Sequence, residues 1–282
     1  MQQKKSKKIT LADLRQYKDE RRKISMLTCY DYSFAALINA SDIDLILVGD
    51  SGVMTLLGYP DTTHATVEMM EMMVKAVSFG AQDKFIVADM PFLSHRKGIV
   101  HALEAVDRLI KAGANAVKIE GFTGHESVIS HIVESGVPVM GHIGLTPQSV
   151  HSMGYKVQGQ NSDAAARLKQ QAIDLQKSGC FAVVLECVPQ DLAAEITAVI
   201  EIPVIGIGAG SYVDGQVLVL QDMLGMNKDL KPKFVRHFFA GSKAFVEAFN
   251  RYHHSVLEHS YPNDDESYDV KSSREKINAG IS

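Results

Sequence analysis

A (β/α)8 barrel, an α/β TIM-type barrel with an N-terminal lead-in helix and a C-terminal closing helix, is the fold class that the sequence predicts. Three observations carry this. Eight short apolar runs, rich in β-branched residues, recur between residues 24 and 224. The runs are near-continuously hydrophobic, as suits strands covered on both faces of a parallel sheet. Each is followed by a longer, more polar stretch of helical period.

The elements follow in order. A lead-in helix is expected over 10–21, then a first strand in 24–31 (ISMLTCYD) and a helix over 31–40. The second strand lies in 45–51 (LILVGDS) and the third in 85–91 (FIVADMP), with a helix over 67–79 between them. A helix over 99–112 leads to the fourth strand in 116–121 (AVKIEG), and one over 125–135 to the fifth in 137–145 (VPVMGHIGL). Helices over 164–178 and 190–200 flank the sixth strand in 182–189 (AVVLECVP). The last two runs are 203–210 (PVIGIGAG) and 216–224 (QVLVLQDML), before a closing helix over 232–259. Gly80, Gly113, Gly136 and Gly179 stand where a left-handed residue commonly ends a helix. Met69, Met70, Met72 and Met73 share one helix and read as adaptable core packing. The main alternative is an open doubly wound sheet, which would bind its ligand at a switch point. The expected organisation is one catalytic barrel domain over 1–259 and a polar tail over 260–282.

Composition narrows the class. The 282 residues are 46% hydrophobic and 22% charged, with 29 basic against 33 acidic side chains and a net charge of −4. That balance, with no tryptophan, speaks against nucleic acid as the main partner. Cys29, Cys180 and Cys187 are odd in number and form no CxxC, so they read as reduced thiols. No apolar run approaches the ~20 residues of a membrane span. The basic opening residues 1–8 lack the apolar segment of a signal peptide. A soluble cytoplasmic enzyme is the expected class.

Barrel chemistry gathers at the C-terminal ends of strands. Those ends carry Asp31, Asp50, Asp89, Glu120 and Glu186, with His142 on the fifth strand. Carboxylates closing apolar runs are expensive to bury unless paired or metal-bound. Several of them around one mouth repel each other, and oxygen-only ligation suits Mg²⁺ or Mn²⁺. The period of two puts Lys118 and Glu120 on one strand face, a lysine beside a metal-binding acid that suits an anionic substrate. Glu186 shares the face of Val184 and reads as a base. Each residue also has a structural reading. Asp31 reads first as a helix cap, Asp50-Ser51 as an N-cap pair, Asp89 as turn chemistry, Lys118 and Glu120 as a mutual ion pair, and His142 as a hydrogen-bonded core histidine. Cys187 reads as packing. Gly206, Gly208 and Gly210 mark close approach by a ligand or by another backbone, and lack dinucleotide-fold spacing. Four acids at four strand ends are the conjunction that argues for a site.

The motifs DIDLILVGDSGVM (42–54), VADMPF (87–92), VKIEG (117–121), MGHIGLTPQS (140–149), GYKVQG (154–159), LECVP (185–189) and IPVIGIGAG (202–210), in this order, make the chain resemble the ketopantoate hydroxymethyltransferase family. The resemblance runs from about residue 10 into the closing helix and implies a Mg²⁺-dependent (β/α)8 barrel that assembles as a homo-oligomer, often a decamer. It implies Asp50, Asp89 and Glu120 around one Mg²⁺ per subunit, some of them through water. Asp50, Ser51, Asp89 and Lys118 would hold the 2-oxo acid, and Glu186 would be the catalytic base. The implied reaction, in pantothenate and coenzyme A biosynthesis, uses 5,10-methylenetetrahydrofolate as cosubstrate. Glu186 takes the C3 proton of 3-methyl-2-oxobutanoate, Mg²⁺ and Lys118 stabilise the enolate, and the carbon acquires the one-carbon unit to give 2-dehydropantoate. Two departures stand beside the second strand. Residues 49–54 read GDSGVM where the family usually has GDSLGM, and the loop DTTHAT (61–66) is shorter than the usual version. The rival enzyme reading is a Mg²⁺-dependent 2-oxo-acid lyase or aldolase of the phosphoenolpyruvate/pyruvate barrel type. A non-catalytic barrel that binds an anionic metabolite, with 206–210 as a phosphate cradle, is the rival outside catalysis.

Overall fold

Inward and outward positions alternate along eight short strands, and that alternation builds the molecule from its axis outward. The computed structural model describes residues 8–227 and 232–268. The basic opening up to residue 7 and the tail beyond residue 268 lie outside the described residues. The described residues form two compact units, 8–220 with 232–235 and 221–227 with 236–268. The expected division at 259/260 falls inside the second.

The first unit runs α1 (Leu11–Asp19), β1 (Ile24–Thr28), α2 (Tyr32–Asn39), β2 (Leu45–Val48), α3 (Gly52–Leu57), α4 (Val67–Gly80), β3 (Phe85–Asp89), α5 (Ile99–Lys111) and β4 (Ala116–Glu120). It continues with α6 (Glu126–Glu134), β5 (Val139–Gly144), α7 (Val150–Met153), α8 (Ser162–Lys177), β6 (Ala182–Glu186), α9 (Gln190–Val199), β7 (Val204–Ile207) and β8 (Gly215–Leu218). All neighbouring strands pair in parallel, in sequence order, and β8 pairs back onto β1. The barrel is closed, so the open-sheet alternative is not the fold.

Met26, Leu47, Val87, Met140, Val184 and Val217 meet in one buried cluster along the barrel interior. Leu14 of α1 joins them at 1% exposure, so the lead-in helix plugs the N-terminal end. Burying such a side chain stabilises by about 1.5–3 kcal/mol. Ion pairs bind the same end: Lys18 to Asp214 at 2.8 Å, beside the start of β8, and Arg22 to Asp44 at 2.6 Å, beside the start of β2. Helix starts follow capping chemistry. Thr10 and Asp13 form a reciprocal capping box, and Thr66 and Asn161 each accept from a first-turn N–H.

Five expectations are corrected. Gly113, Gly136 and Gly179 are left-handed, but Gly80 is helical. A Cβ there would lie 2.6 Å from the Tyr32 carbonyl oxygen, so its glycine permits close contact with α2. Of the methionines, Met70 and Met73 are buried, whereas Met72 faces solvent. No helix separates β7 from β8, and the eighth run leaves strand geometry after Leu218 to form α10 (Leu220–Met223). The closing helix, α11 (Gly241–Leu257), starts nine residues after the expected 232. Residues 232–235 belong to the first unit, where the Phe234 ring covers Gly208. In the second unit, α11 begins on a hydrogen bond from Gly241 N–H to the Leu224 carbonyl. Asn263 caps a short turn over Asp264–Glu266.

Beyond β3 and β4 the chain buries two histidines. His95 and His125 are 1% and 3% exposed, with ring centroids 4.8 Å apart. Burial, then the neighbouring imidazole and Arg96, hold His95 down to about 3. Burial, then Arg96, hold His125 at about 4. Both are therefore neutral when folded at pH 7 and protonate more readily when unfolded. Their contribution is complete above the ordinary value of 6.5 and lost as the pH falls below it. Between pH 6.5 and 5 the loss is about 2 kcal/mol per histidine. Urea unfolding at pH 7.5 and pH 5 should therefore show a smaller acid loss in a His95→Phe/His125→Leu variant than in the wild type. Equal losses would refute the assignment.

Candidate active site

The inward row that fills the core with apolar side chains turns polar at the C-terminal mouth. In β3, Phe85 and Val87 give way to Asp89; in β4, Ala116 gives way to Lys118 and Glu120. In β5, Met140 precedes His142, and in β6, Val184 precedes Glu186. The register then sets Asp89 beside Lys118, Glu120 beside His142, and Gly144 beside Glu186. Gly144 has φ +98°, and a Cβ there would lie 2.3 Å from the Glu186 carbonyl oxygen. Only glycine allows β5 to leave the sheet that close to the acid. Asp50 lies just past β2, where its N–H donates to Asp89 Oδ2 at 3.0 Å.

Asp50, Asp89, Lys118, Glu120 and His142 are all buried. Lys118 Nζ pairs with Asp89 Oδ1 at 2.9 Å and stands 3.8 Å from Glu120 Oε1. His142 Nδ1 lies 3.1 Å from Lys118 Nζ and 3.3 Å from Glu120 Oε1, while Nε2 lies 3.3 Å from Glu186 Oε2. The imidazole thus links the buried cluster to Glu186, whose side chain keeps 16% of its surface open.

Charge is unevenly distributed. Burial, then Asp89 and Glu120, push the Asp50 carboxyl well above the carboxylate range, against Lys118 and a Gln148 hydrogen bond. Burial also raises Asp89, only partly offset by Lys118. For Glu120, burial acts upward, but His142, Lys118 and the Gln148 N–H outweigh it. Burial draws Lys118 down, yet Asp89, Glu120 and Asp50 raise it overall. Burial and Lys118 act downward on His142, and Glu120 and Glu186 bring it to about 9. Two cations, Lys118 and His142, face four carboxyl groups, those of Asp50, Asp89, Glu120 and Glu186. The donor atoms are carboxylate oxygens, which suit a hard divalent cation. Among the described residues, no three histidine, cysteine, aspartate or glutamate side chains form a set able to hold a metal alone. An ion here would therefore need further oxygen donors, as Mg²⁺ commonly takes from water and substrate.

The residues singled out in the sequence divide as follows. Asp50, Asp89, Lys118, Glu120, His142 and Glu186 come together. Lys118 sits closer to Asp89 than to Glu120, so a simple Lys118–Glu120 pair is not the arrangement. Ser51 precedes α3 without a capping bond; its Oγ lies 2.9 Å from the hydroxyl of fully buried Tyr30. Asp31 is a cap, accepting from Phe34 N–H at 3.0 Å, and stands outside the cluster. At Gly206, Gly208 and Gly210, the space a side chain would need is filled by Val213, Phe234 and Gln190, so the protein itself makes the close approach. Cys187, at φ +47°, packs near Gly208, and burial, then Glu186, push its thiol up to about 11. Two buried residues with no role assigned from sequence complete the surroundings. Tyr30 orients Ser51, and Gln148 bonds to both Asp50 and Glu120. Gln148 lies within GHIGLTPQS, but an amide in a loop carries no charge pattern to announce it.

Comparison with known proteins agrees with this architecture. The family model for ketopantoate hydroxymethyltransferase matches residues 8–264. The 3-methyl-2-oxobutanoate hydroxymethyltransferase of Francisella tularensis subsp. novicida (strain U112) is 53% identical over 253 residues, 89% of this chain and 96% of its own. Its counterpart from Bdellovibrio bacteriovorus is 52% identical over 260 residues, 92% of this chain and 99% of its own. Among solved structures, phosphonopyruvate hydrolase with oxalate and Mg²⁺ is 12% identical, with a TM-score of 0.59 over 95% of this chain and 96% of its own. Phosphoenolpyruvate phosphomutase from Streptomyces platensis subsp. rosaceus reaches 0.60, at 12% identity over 96% of both chains. At that identity the two structures speak for the fold alone. The sequence relatives and the family model establish that this chain belongs to the ketopantoate hydroxymethyltransferase family.

Proposed function

We propose that the site transfers the one-carbon unit of 5,10-methylenetetrahydrofolate to C3 of 3-methyl-2-oxobutanoate, giving 2-dehydropantoate and tetrahydrofolate for pantothenate and coenzyme A biosynthesis. The observation that carries the reading is the buried Asp50–Asp89–Lys118–Glu120 cluster, joined through His142 to a partly exposed Glu186.

Asp50, Asp89 and Glu120 would hold Mg²⁺, with water and substrate oxygens completing its shell. When bound, the ion supplies electron withdrawal from the keto and carboxylate oxygens of the 2-oxo acid, which acidifies C3–H. The chain's own groups do the rest. Lys118, charged and fixed by Asp89, offers positive potential where the enolate charge develops. Ser51, whose Oγ lies 2.9 Å from the Tyr30 hydroxyl, would donate to the substrate carboxylate. Glu186 Oε receives the C3 proton at the open edge of the cluster. His142, 3.3 Å from that carboxylate, fixes its orientation. The carbon nucleophile then attacks the one-carbon unit of the folate, and water completes the turnover. Asp89 and Lys118, with Asp50 and Ser51, make up the 2-oxo-acid subsite.

Assembly as a homo-oligomer, a decamer in the family's usual form, is supported by Phe249, Tyr252 and Leu257, apolar side chains exposed on α11. A cytoplasmic site of action agrees with three free cysteines. Among the described residues, no helix is long and apolar enough to cross a membrane.

Purified protein given both substrates and Mg²⁺ should form 2-dehydropantoate, and EDTA should abolish the product. Glu186→Gln should lower kcat about 100-fold or more, along with deuterium uptake at C3. Deuterium exchange without product would move the reading to a 2-oxo-acid lyase or aldolase. Lys118→Met should lower kcat about 100-fold and, by leaving Asp89 and Glu120 uncompensated, should also lower the melting temperature followed by circular dichroism. Undiminished kcat would make Lys118 a purely structural counter-charge.

A further inference from the structure

The loop after β5 delivers one residue to the ends of three other strands. Pro147–Ser149 form a single tight turn, and its middle residue, Gln148, is buried at 5% exposure. Its main-chain N–H donates to Glu120 Oε2 at 3.0 Å. Its side-chain Nε2 donates to Asp50 Oδ2 at 2.8 Å and to the Met90 carbonyl at 2.9 Å. Both amide hydrogens are therefore used, one on an acid beyond β2 and one on the residue after Asp89. The third bond reaches the acid that ends β4.

We infer that Gln148 is a positioning residue for the cation: its side-chain amide engages Asp50 Oδ2 and leaves Oδ1 for the ion, while its main-chain N–H on Oε2, with His142 and Lys118 beside Oε1, fixes the Glu120 carboxylate. The inference rests on the metal reading above and goes beyond it by naming what aims the ligands. Its chemistry is specific. A lysine or arginine at this place would neutralise the two carboxylates and compete with the ion for them. A neutral amide supplies the same hydrogen bonds and leaves the negative charge for the cation. The Met90 bond prevents the amide from rotating away, so aim is kept even when Asp50 is unligated. Residues that orient ligands from behind contribute about 10–100-fold in metal affinity.

The test is Mn²⁺ binding to chelator-stripped full-length protein, followed by calorimetry and by electron paramagnetic resonance. Wild type, Gln148→Met, Gln148→Asn and Asp50→Asn would be compared, with thermal melts reporting folding. Methionine keeps the volume and removes both side-chain donors, leaving the main-chain N–H on Glu120. Asparagine keeps the amide but is one methylene too short to reach both acceptors. Each Gln148 variant, while folded, should bind Mn²⁺ about 10–100-fold more weakly and show a smaller rise in Tm on adding metal. If the methionine variant does not fold, the asparagine variant decides. Affinity within twofold of wild type in a folded variant overturns the inference and leaves Gln148 a packing residue. Absence of Mn²⁺ binding by wild type, or Asp50→Asn binding as tightly as wild type, overturns the metal reading and this inference with it.

Discussion

Like charges buried at adjacent strand ends are the constraint on which the rest of this structure depends. Asp89 and Glu120 sit one strand apart, and Lys118, on the same row as Glu120, stands between them at 2.9 and 3.8 Å. An ammonium buried alone would lose its proton; here the surrounding acids keep it charged, and it keeps two of them from repelling each other apart. The pairing is reciprocal, and removing either sign leaves the other uncompensated in a low-dielectric site. One acid, Asp50, is left over. Burial, then Asp89 and Glu120, raise its affinity for a proton above that of a free carboxylate.

That electrostatic layer is affordable because the layer beneath it is wholly apolar. Met140, Val87 and Val184 fill the axis directly below the polar row, and Leu14 closes the far end. The closed sheet satisfies backbone groups around the whole circumference, so no edge competes for the carboxylates. Precision at the mouth follows from register. A one-residue slip between β4 and β5 would turn Glu120 or His142 out of the barrel, since neighbours along a strand point to opposite faces.

Much of this was legible in the amino-acid order. Near-continuous apolar runs closing on Asp89, Glu120 and Glu186 identify strands and mouth together, because a polar residue at the end of an inward row has nowhere else to point. Asp31 as a cap was legible for a similar local reason: its acceptor faces Phe34 N–H, three residues on. Less was legible where contacts join distant segments. Phe234 covers Gly208 across a long stretch of sequence, so the late start of α11 has no local signal. Gly80 ends no helix because α2 presses on it, which only packing reveals. Gln148 and Tyr30 escape for a different reason. Each acts through a neutral hydrogen bond to a neighbour, and neutral donors leave no imprint on charge or hydrophobic periodicity.

The filled glycines at the end of β7 bear on how far the mouth can be reshaped. Many barrels grip a phosphate with open backbone at this point in the sheet. Here Val213, Phe234 and Gln190 already take the space beside Gly206, Gly208 and Gly210. A side chain at any of the three would meet those atoms at 2.6–2.9 Å, so the loop keeps its shape only with glycine there. That packing abuts the candidate site, since Ile207 pairs with Glu186 and the Cys187 sulfur lies beside Gly208. Widening the mouth on this side would therefore mean repacking the loop one strand away from Glu186, with that residue's surroundings disturbed as well.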